Sequence, residues 1–401
     1  MSNNSPRPLN LICRDAEAEL LLHCARVQVD PKRAERIGEL VRQELDWDSL
    51  LSVAQRNGLL PLLSFHLNRI CAPDVPRERL QYLRTYFQSN SALNLLLTAE
   101  LVKLLDLFAA NGICAVPYKG PATAVSVYHN LGLRQFGDLD ILVREADVWK
   151  ATDLLIAQGF DSYFVIPLEK QAAFIRLGYV RLFQRDGGRT VVELHWSIAP
   201  RFFDSGFDAG RIWSRLEIMK LQGSSVHVPA AADLLLMLCT HAAKDCWEKL
   251  EWVCCVAEVL KANPGLNWQR ILEQAHKARC QRILFLGLLL AHDLLEAPLP
   301  TDVVSTLLTF RTLPQLASQI VKDFFSPEPK RINVPARVRF HLRTKDRLRD
   351  RLRYCWRLSV TTTPVDWELM PLPRSVSFAY YPLRVFRLLK KYAFDSQEAR
   401  S

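Results

Sequence analysis

Residues 136–143 read Phe-Gly-Asp-Leu-Asp-Ile-Leu-Val, an apolar segment that carries two carboxylates. Alternation of acidic and apolar residues is typical of a β-strand, in which successive side chains point to opposite faces. Asp138 and Asp140 therefore share one face, with their Cα atoms about 6.6 Å apart at roughly 3.3 Å per residue. Leu139 and Ile141 point to the opposite face. The segment predicts a strand that is buried on one face and acidic on the other.

The two carboxylates point to a metal site. Held on one rigid strand with no Lys or Arg between them, they repel each other, and a bridging divalent cation relieves that repulsion. Hard oxygen ligands of this kind suit Mg²⁺. The alternative is a pair of solvated acids at a strand edge, and the Asp-x-Asp pattern alone leaves both interpretations open.

Two neighbouring segments favour the metal site. Residues 119–121 read Lys-Gly-Pro between a short apolar strand and a predicted helix, where a glycine, a helix N-terminus and a cation would suit a phosphate. Glu193 alternates with apolar neighbours in 191–196, so an unpaired acid there would be costly. It is a candidate third metal ligand or general base, unless Arg181 or Arg189 forms an ion pair with it.

The remaining pattern predicts an α+β fold, a small mixed β-sheet flanked by helical regions. Further strands are expected at 113–116 and 163–166, and 179–195 reads as a hairpin with Asp-Gly-Gly at its turn. Helical periodicity dominates on both sides of this block. We expect four regions: an N-terminal helical region (1–112), a core of strands and helices (113–229), a C-terminal helical domain (230–326) and a basic tail (327–401).

The basic character is confined to the end of the chain. The formal net charge is +10, but residues 330–401 contain 17 Lys and Arg against 6 Asp and Glu, so the remainder is close to neutral. Arginines in 343–353 are interleaved with leucines and aromatic residues. The tail would either bind an anionic partner such as RNA or a membrane surface, or cover an acidic face of the core, which we favour.

Composition excludes several classes of protein. Hydrophobic residues make up 49% and charged residues 23%, which excludes general disorder. No apolar run is long enough to span a bilayer, and the N-terminus lacks the pattern of a secretory signal. The ten cysteines are dispersed without zinc-knuckle spacing, so we expect reduced thiols and a cytoplasmic protein.

The combined segments resemble a known family. They are similar to the motifs of the uncharacterised nucleotidyltransferase family of bacteria, within the DNA polymerase β-like superfamily, and the resemblance extends over most of the chain. The segments are Lys119-Gly120, Gly132-Leu133-Arg134, 137–143 and Glu193-Leu194-His195-Trp196. Later segments, around His241-Ala242-Ala243-Lys244, Asp366-Trp367 and Leu372-Pro373, also resemble the family.

The resemblance implies the identity of the site. The superfamily places a metal-binding acid pair on one strand and a third carboxylate on its neighbour, and Asp138, Asp140 and Glu193 match these positions. It further implies Mg²⁺ or Mn²⁺ as cofactor and an NTP substrate whose triphosphate lies on Lys119 and Gly120. One departure is that Lys-Gly-Pro stands where the superfamily usually has Gly-Gly or Gly-Ser. Another is that Asp245 and Cys255 stand where a His and an Asp are expected.

Four further residues have two interpretations each. Arg134 would either reach a phosphate or form an ion pair with Asp138 or a loop acid. His195, on the same face as Glu193, would either orient a metal ligand or be a hydrogen-bonded core histidine. His241 and Lys244 lie three apart on a helix and would together contact the triphosphate, unless Lys244 is simply solvated.

The predicted function is a Mg²⁺-dependent nucleotidyltransferase. It would transfer NMP from an NTP to a hydroxyl of an acceptor and release pyrophosphate, the acceptor being a small molecule, a peptide, a protein or RNA. The alternative is a catalytically inactive relative that binds nucleotide or RNA. A third possibility, a toxin-like or self-modifying enzyme, differs from the first only in its acceptor.

Overall fold

The computed structural model describes residues 15–203, 209–326 and 332–361. Its fold is α+β, which confirms the sequence prediction. The first part of the chain is helical, and α5 is by far its longest helix. The five helices are α1 (Ala16–Cys24), α2 (Pro31–Val41), α3 (Trp47–Arg56), α4 (Leu60–Ile70) and α5 (Arg77–Ala110).

A small mixed sheet follows. Its strands are β1 (Val116–Pro117), β2 (Asp138–Leu142), β3 (Asp161–Ser162), β4 (Val180–Arg185) and β5 (Thr190–His195). They lie in the order β1-β2-β5-β4-β3. The central pair β2 and β5 runs parallel, and the other neighbouring pairs are antiparallel. Three helices intervene, namely α6 (Pro121–Ser126), α7 (Val148–Ala157) and α8 (Gln171–Leu177).

A separate two-stranded hairpin leads into the second helical region. The hairpin is β6 (Leu216–Leu221) and β7 (Ser224–Pro229). The helices after it are α9 (Ala231–Lys244), α10 (Leu250–Ala262), α11 (Trp268–Lys277), α12 (Gln281–Leu295), α13 (Thr301–Leu308) and α14 (Leu313–Phe325). Within the described residues no helix is both long and apolar enough to cross a membrane.

Helices from both ends of the chain share one hydrophobic core. Buried residues of α1–α4 pack in the same cluster as those of α9, α10 and α12, and a second cluster lies around the sheet. The helix α5 belongs to both, because Leu80 and Leu83 lie in the first cluster and Leu101 and Phe108 in the second. At 1.5 Å per residue its 34 residues extend about 50 Å, enough to reach both cores. The domain boundaries stay predictions.

Three details of the sheet differ from the sequence prediction. The strand expected at 113–116 lies at Val116–Pro117. The strand expected at 163–166 lies instead at Asp161–Ser162, and Val165 is 90% exposed, so the apolar run does not pack as a strand. The β6–β7 hairpin was not predicted. Its turn is Gln222-Gly223, with φ of 48° and 89°. Positive φ at both turn residues is the favoured hairpin geometry, but Gln-Gly is a weaker signal than Asn-Gly or Asp-Gly.

The described part of the basic tail is helical. It forms α15 (Val334–Arg343) and α16 (Leu348–Val360). Between them Asp346 accepts the backbone N–H groups of Gln281 and Arg282, which caps the N-terminus of α12. This part of the tail therefore packs on the helical region. The segments Asp366-Trp367 and Leu372-Pro373 lie outside the described residues.

Candidate active site

The register of β2 and β5 brings the three predicted acids together. Asp140 lies directly opposite Glu193 in the parallel pair, and Asp138 lies two residues earlier on β2. Leu139 and Ile141 are fully buried on the other face, each with about 1.5–3 kcal/mol of burial free energy. A slip of one residue would turn these apolar side chains to the polar face, so the hydrophobic core fixes the acidic face.

Asp140 is the most enclosed of the three acids, at 3% exposure. The ammonium of Lys119 lies 2.6 Å from its Oδ1, and Nε2 of His195 lies 3.1 Å from the same oxygen. Burial opposes ionisation, but the charge of Lys119 and the hydrogen bond from His195 outweigh it and hold the pKa of Asp140 well below its usual range. Asp140 is therefore a carboxylate at neutral pH.

Asp138 has the opposite electrostatics. Its burial, reinforced by the negative charge of Asp140, raises its pKa to about 6. The ionised carboxylate of Asp138 is therefore electrostatically unfavourable at neutral pH, and a bound cation would stabilise it.

His195 bridges two of the acids. Its Nε2 lies 3.0 Å from Glu193 Oε2 as well as 3.1 Å from Asp140 Oδ1. Because ionised carboxylates only accept, Nε2 carries the proton and shares it between the two strands. Nδ1 is buried and has no hydrogen-bond partner in the described parts of the chain. A metal-ligating histidine normally donates its second ring nitrogen, so this arrangement favours His195 as a support for the acids.

Arg181 does not pair with Glu193. It donates to Ser162 Oγ at 3.0 Å, and its guanidinium lies over the ring of Trp149. Within the described residues Arg189 forms no ion pair with Glu193 either. The structure therefore does not support the alternative in which Glu193 pairs with Arg181 or Arg189.

The acids face a polar cavity of about 330 Å³. Residues from β2 and from the loop before it form one side, and residues of α9 and α10 form the other. Seven of the predicted site residues line this cavity: Lys119, Arg134, Asp138, Asp140, Glu193, His241 and Lys244. Gly120 is not among the lining residues. It has a φ of +53°, and a Cβ there would lie 3.4 Å from the Asp138 carbonyl oxygen, so glycine permits the close approach of this loop to β2.

Arg134 joins the cavity to the helical region. Its Nε lies 2.9 Å from Oε1 of Glu251 on α10, and both side chains are buried. Among the residues that the structure describes, neither Asp138 nor a loop acid is its partner, in contrast to the ion-pair alternative proposed from sequence. Its Nη1 has no hydrogen-bond partner among the described residues. Arg134 thus links the loop before β2 to α10.

His241 and Lys244 extend from the end of α9. Burial, followed by the charge of Lys119, lowers the pKa of His241 well below its usual value, so its ring is neutral. Lys244 Nζ lies 3.4 Å from the hydroxyl of Tyr179 and 3.3 Å from Asp245. Lys244 is therefore the positively charged residue that α9 places in the cavity wall. The neutral ring of His241 can only form hydrogen bonds.

Sequence reasoning missed several residues of the cavity wall. These are Gln135, Phe136, Gly137, Tyr179, Asp245, Lys249, Glu251 and Trp252. Lys249, Glu251 and Trp252 come from the start of α10, whose position depends on α3: the backbone N–H of Leu250 donates to Asn57 Oδ1. No local pattern in 249–252 signals that contact.

Fold and site together define a class of protein. The resemblance to nucleotidyltransferases implies a carboxylate pair on one strand and a third acid on the neighbouring strand. The structure contains this arrangement and adds basic residues to the cavity that the acids face. A family model described as "uncharacterised nucleotidyltransferase" matches residues 43–296, more than half of the chain. The chain belongs to this family. Searches of curated proteins and of solved structures find no significant match.

Proposed function

We propose that this protein transfers NMP from an NTP to a hydroxyl group of an acceptor, with release of pyrophosphate, and that the reaction depends on Mg²⁺ or Mn²⁺. The observation that carries the proposal is the convergence of Asp138, Asp140 and Glu193 on one cavity whose walls also contain Lys119, Lys244 and Arg134. Membership of a nucleotidyltransferase family supports the same chemistry.

The donor set fits a hard divalent cation. Asp138, Asp140 and Glu193 supply carboxylate oxygens, and ligand oxygens of Asp140 and Glu193 lie within 4.8 Å of each other. The raised pKa of Asp138 marks electrostatic strain that a cation would relieve. The three carboxylates would hold the ion, which when bound would stabilise charge on the triphosphate and lower the pKa of the acceptor hydroxyl.

The side chains of this protein would orient the reactants. Lys119 and His195 fix Asp140, and His195 also fixes Glu193 through the same Nε2–H. Lys244 and Arg134 would contact the triphosphate as cations. The acceptor oxygen then attacks the α-phosphorus, an O–P bond forms, and the bond to the β-phosphate oxygen breaks. The hydroxyl proton would pass to Glu193, which is more exposed than Asp140.

Three finer assignments belong to the same proposal. We place the chain in the DNA polymerase β-like superfamily because the positions of its acids agree with that arrangement. The cysteines in the described residues are all unbridged, which supports a reducing cytoplasm as its compartment. The acceptor is a hydroxyl of a small molecule, peptide, protein or RNA.

A screen of the four NTPs with Mg²⁺ and with Mn²⁺ tests the proposal. Pyrophosphate release is measured with the purified chain and candidate acceptors, and labelled NTP reveals self-modification. We expect metal-dependent release with at least one NTP and its loss in Asp138→Ala. Release that is unchanged in this variant, or that persists with EDTA, would remove the metal role.

One observation favours a second function. Asp140 already has two partners, Lys119 and His195, so the site is partly neutralised without a metal. A catalytically inactive relative that binds nucleotide or RNA would have the same feature. Metal-dependent pyrophosphate release separates the two: the inactive protein would bind NTP with no turnover under any of the eight NTP and metal combinations.

A further inference from the structure

The helix α15, the first helix of the basic tail, contacts residues of the candidate site. This helix lies beyond residues 43–296, which match the family. Three of its contacts fall on the last residue of α9 and on the segment that follows it. Arg337 lies 3.6 Å from Asp245 and 3.1 Å from Glu248, and His341 Nε2 lies 2.9 Å from the carbonyl oxygen of Lys244. Lys244 and Asp245 both line the cavity.

The hydrogen bond from His341 has a defined direction. A carbonyl oxygen only accepts, so Nε2 of His341 carries the proton and donates it to Lys244. Nδ1 therefore accepts from the hydroxyl of Tyr354 on α16, 2.9 Å away. His341 is 2% exposed, and burial lowers its pKa to about 3, so the ring stays neutral and this tautomer is maintained. Tyr354, His341 and the end of α9 form one continuous hydrogen-bonded chain.

The segment that receives these contacts needs external support. The last carbonyl groups of a helix lack partners within the helix, and His341 satisfies that of Lys244. The next residues, Cys246 and Trp247, have φ of 56° and 57°, a left-handed conformation that non-glycine residues rarely adopt in succession. A backbone in this conformation persists only when its surroundings hold it.

The ion pairs of Arg337 bear on the charge of the cavity. Asp245 lies 3.3 Å from Lys244 Nζ, so it competes with any anion for that ammonium group. Arg337 contacts the same carboxylate from outside the cavity. Two cations thus share one acid, and Lys244 retains positive charge toward the cavity.

We propose that Arg337 and His341 are positioning residues of the candidate site, which hold Lys244 and Asp245 in a geometry that binds an anionic triphosphate. The basic tail then has a defined role, because its first helix supports the cavity wall from outside. The inference rests on the proposed function, in which Lys244 contacts the triphosphate. The contacts themselves are independent of that function and are tested separately below.

Inorganic triphosphate with Mg²⁺ is the probe, because it requires no knowledge of the base. We expect isothermal titration calorimetry on the full chain to show about tenfold weaker triphosphate binding for Arg337→Ala. The affinity of Arg339→Ala should change less than twofold. Arg339 is the matched control, since it lies on the same helix, is exposed and has no ion-pair partner among the described residues. In the double variant Arg337→Ala/Asp245→Asn, affinity returns toward the wild-type value because the competing acid is neutral.

Hydrogen exchange tests the role of His341 without any ligand. His341→Leu should accelerate exchange of the backbone amides of 245–248, and His341→Gln, which keeps an N–H donor, should restore protection. Equal exchange in the wild type and His341→Leu, or equal triphosphate affinity in Arg337→Ala and Arg339→Ala, would overturn the inference. A wild-type chain that binds no triphosphate would instead contradict the proposed function, and the exchange result would still decide the positioning role.

Discussion

The two walls of the cavity are built in different ways. The acidic wall comes from two neighbouring strands, and the β2–β5 register alone places Asp140 opposite Glu193. The helical wall comes from α9 and α10, whose site residues depend on distant contacts, with Asn57 just after α3 and with His341 in α15. Short-range geometry thus fixes the groups proposed for chemistry, and long-range packing fixes those proposed for binding. Substitutions in the two walls should have correspondingly different effects.

The largest effect is expected on the acidic wall. Asp138→Ala should lower NMP transfer at least 1000-fold, or roughly 4 kcal/mol in activation free energy, because it removes a proposed metal ligand. Steady-state pyrophosphate release measures this. Glu145→Ala, which removes an exposed acid just beyond β2, is the control and should keep its activity. Comparable losses in both variants would mean that Asp138 has no special role.

Lys119→Met tests the charge balance of the same wall. Removal of one partner of a buried ion pair costs about 3–5 kcal/mol, so unfolding in EDTA should occur at lower denaturant concentration than for the wild type. Mn²⁺ should recover more stability in this variant than in the wild type, since it would replace the missing cation. Lys103→Met, at an exposed position on α5, is the control. Stability equal to wild type in EDTA would contradict the pairing.

The helical wall should show a distinct pH dependence. The pKa of His341 falls from 6.5 to about 3 on folding, so the unfolded chain binds a proton that the folded chain does not. Stability is therefore lost as the pH falls below 6.5, by about 2 kcal/mol between pH 7 and pH 5 from this residue. The free energy of unfolding of His341→Gln, measured with denaturant, should not show this loss. Above pH 7 it should change with pH as that of the wild type does. An unchanged dependence between pH 5 and pH 7 would contradict the buried neutral state.

Lys244→Ala should have the smallest of these effects. A tenfold rise in KM for NTP, about 1.4 kcal/mol, is expected with little change in kcat, because Lys244 would bind the triphosphate equally in the ground and transition states. Lys277→Ala, on the exposed face of α11, is the control. A fall in kcat at unchanged KM would place Lys244 with the chemical step and so weaken the contrast between the two walls.

The same contrast explains how much the sequence could predict. Strand periodicity identified β2 and the β4–β5 hairpin, and with them the acidic face that carries Asp138 and Asp140. The resemblance to the family matched Glu193 to the third acid of the site. The periodicity of the sequence does not show that β5 pairs with β2 in parallel. The three acids of this wall were thus all named from the sequence.

The helical wall was predicted only in part. His241 and Lys244 were found because they lie on one predicted helix, whereas Glu251 and Trp252 were not, since their position depends on α3. The partner of Arg134 was missed for the same reason: Glu251 is more than a hundred residues away in the chain. The role of α15 required the structure, because an Arg-rich pattern does not indicate which acid each arginine contacts.

Anomalous scattering from a crystal grown with Mn²⁺ tests the central claim most directly. The account predicts a Mn²⁺ peak in contact with carboxylate oxygens of Asp138 and Asp140, at roughly 2.2 Å, on the side of the sheet that faces Lys244. A structure at millimolar Mn²⁺ with no peak there, in which the ammonium of Lys119 remains the only cation on Asp140, would contradict it.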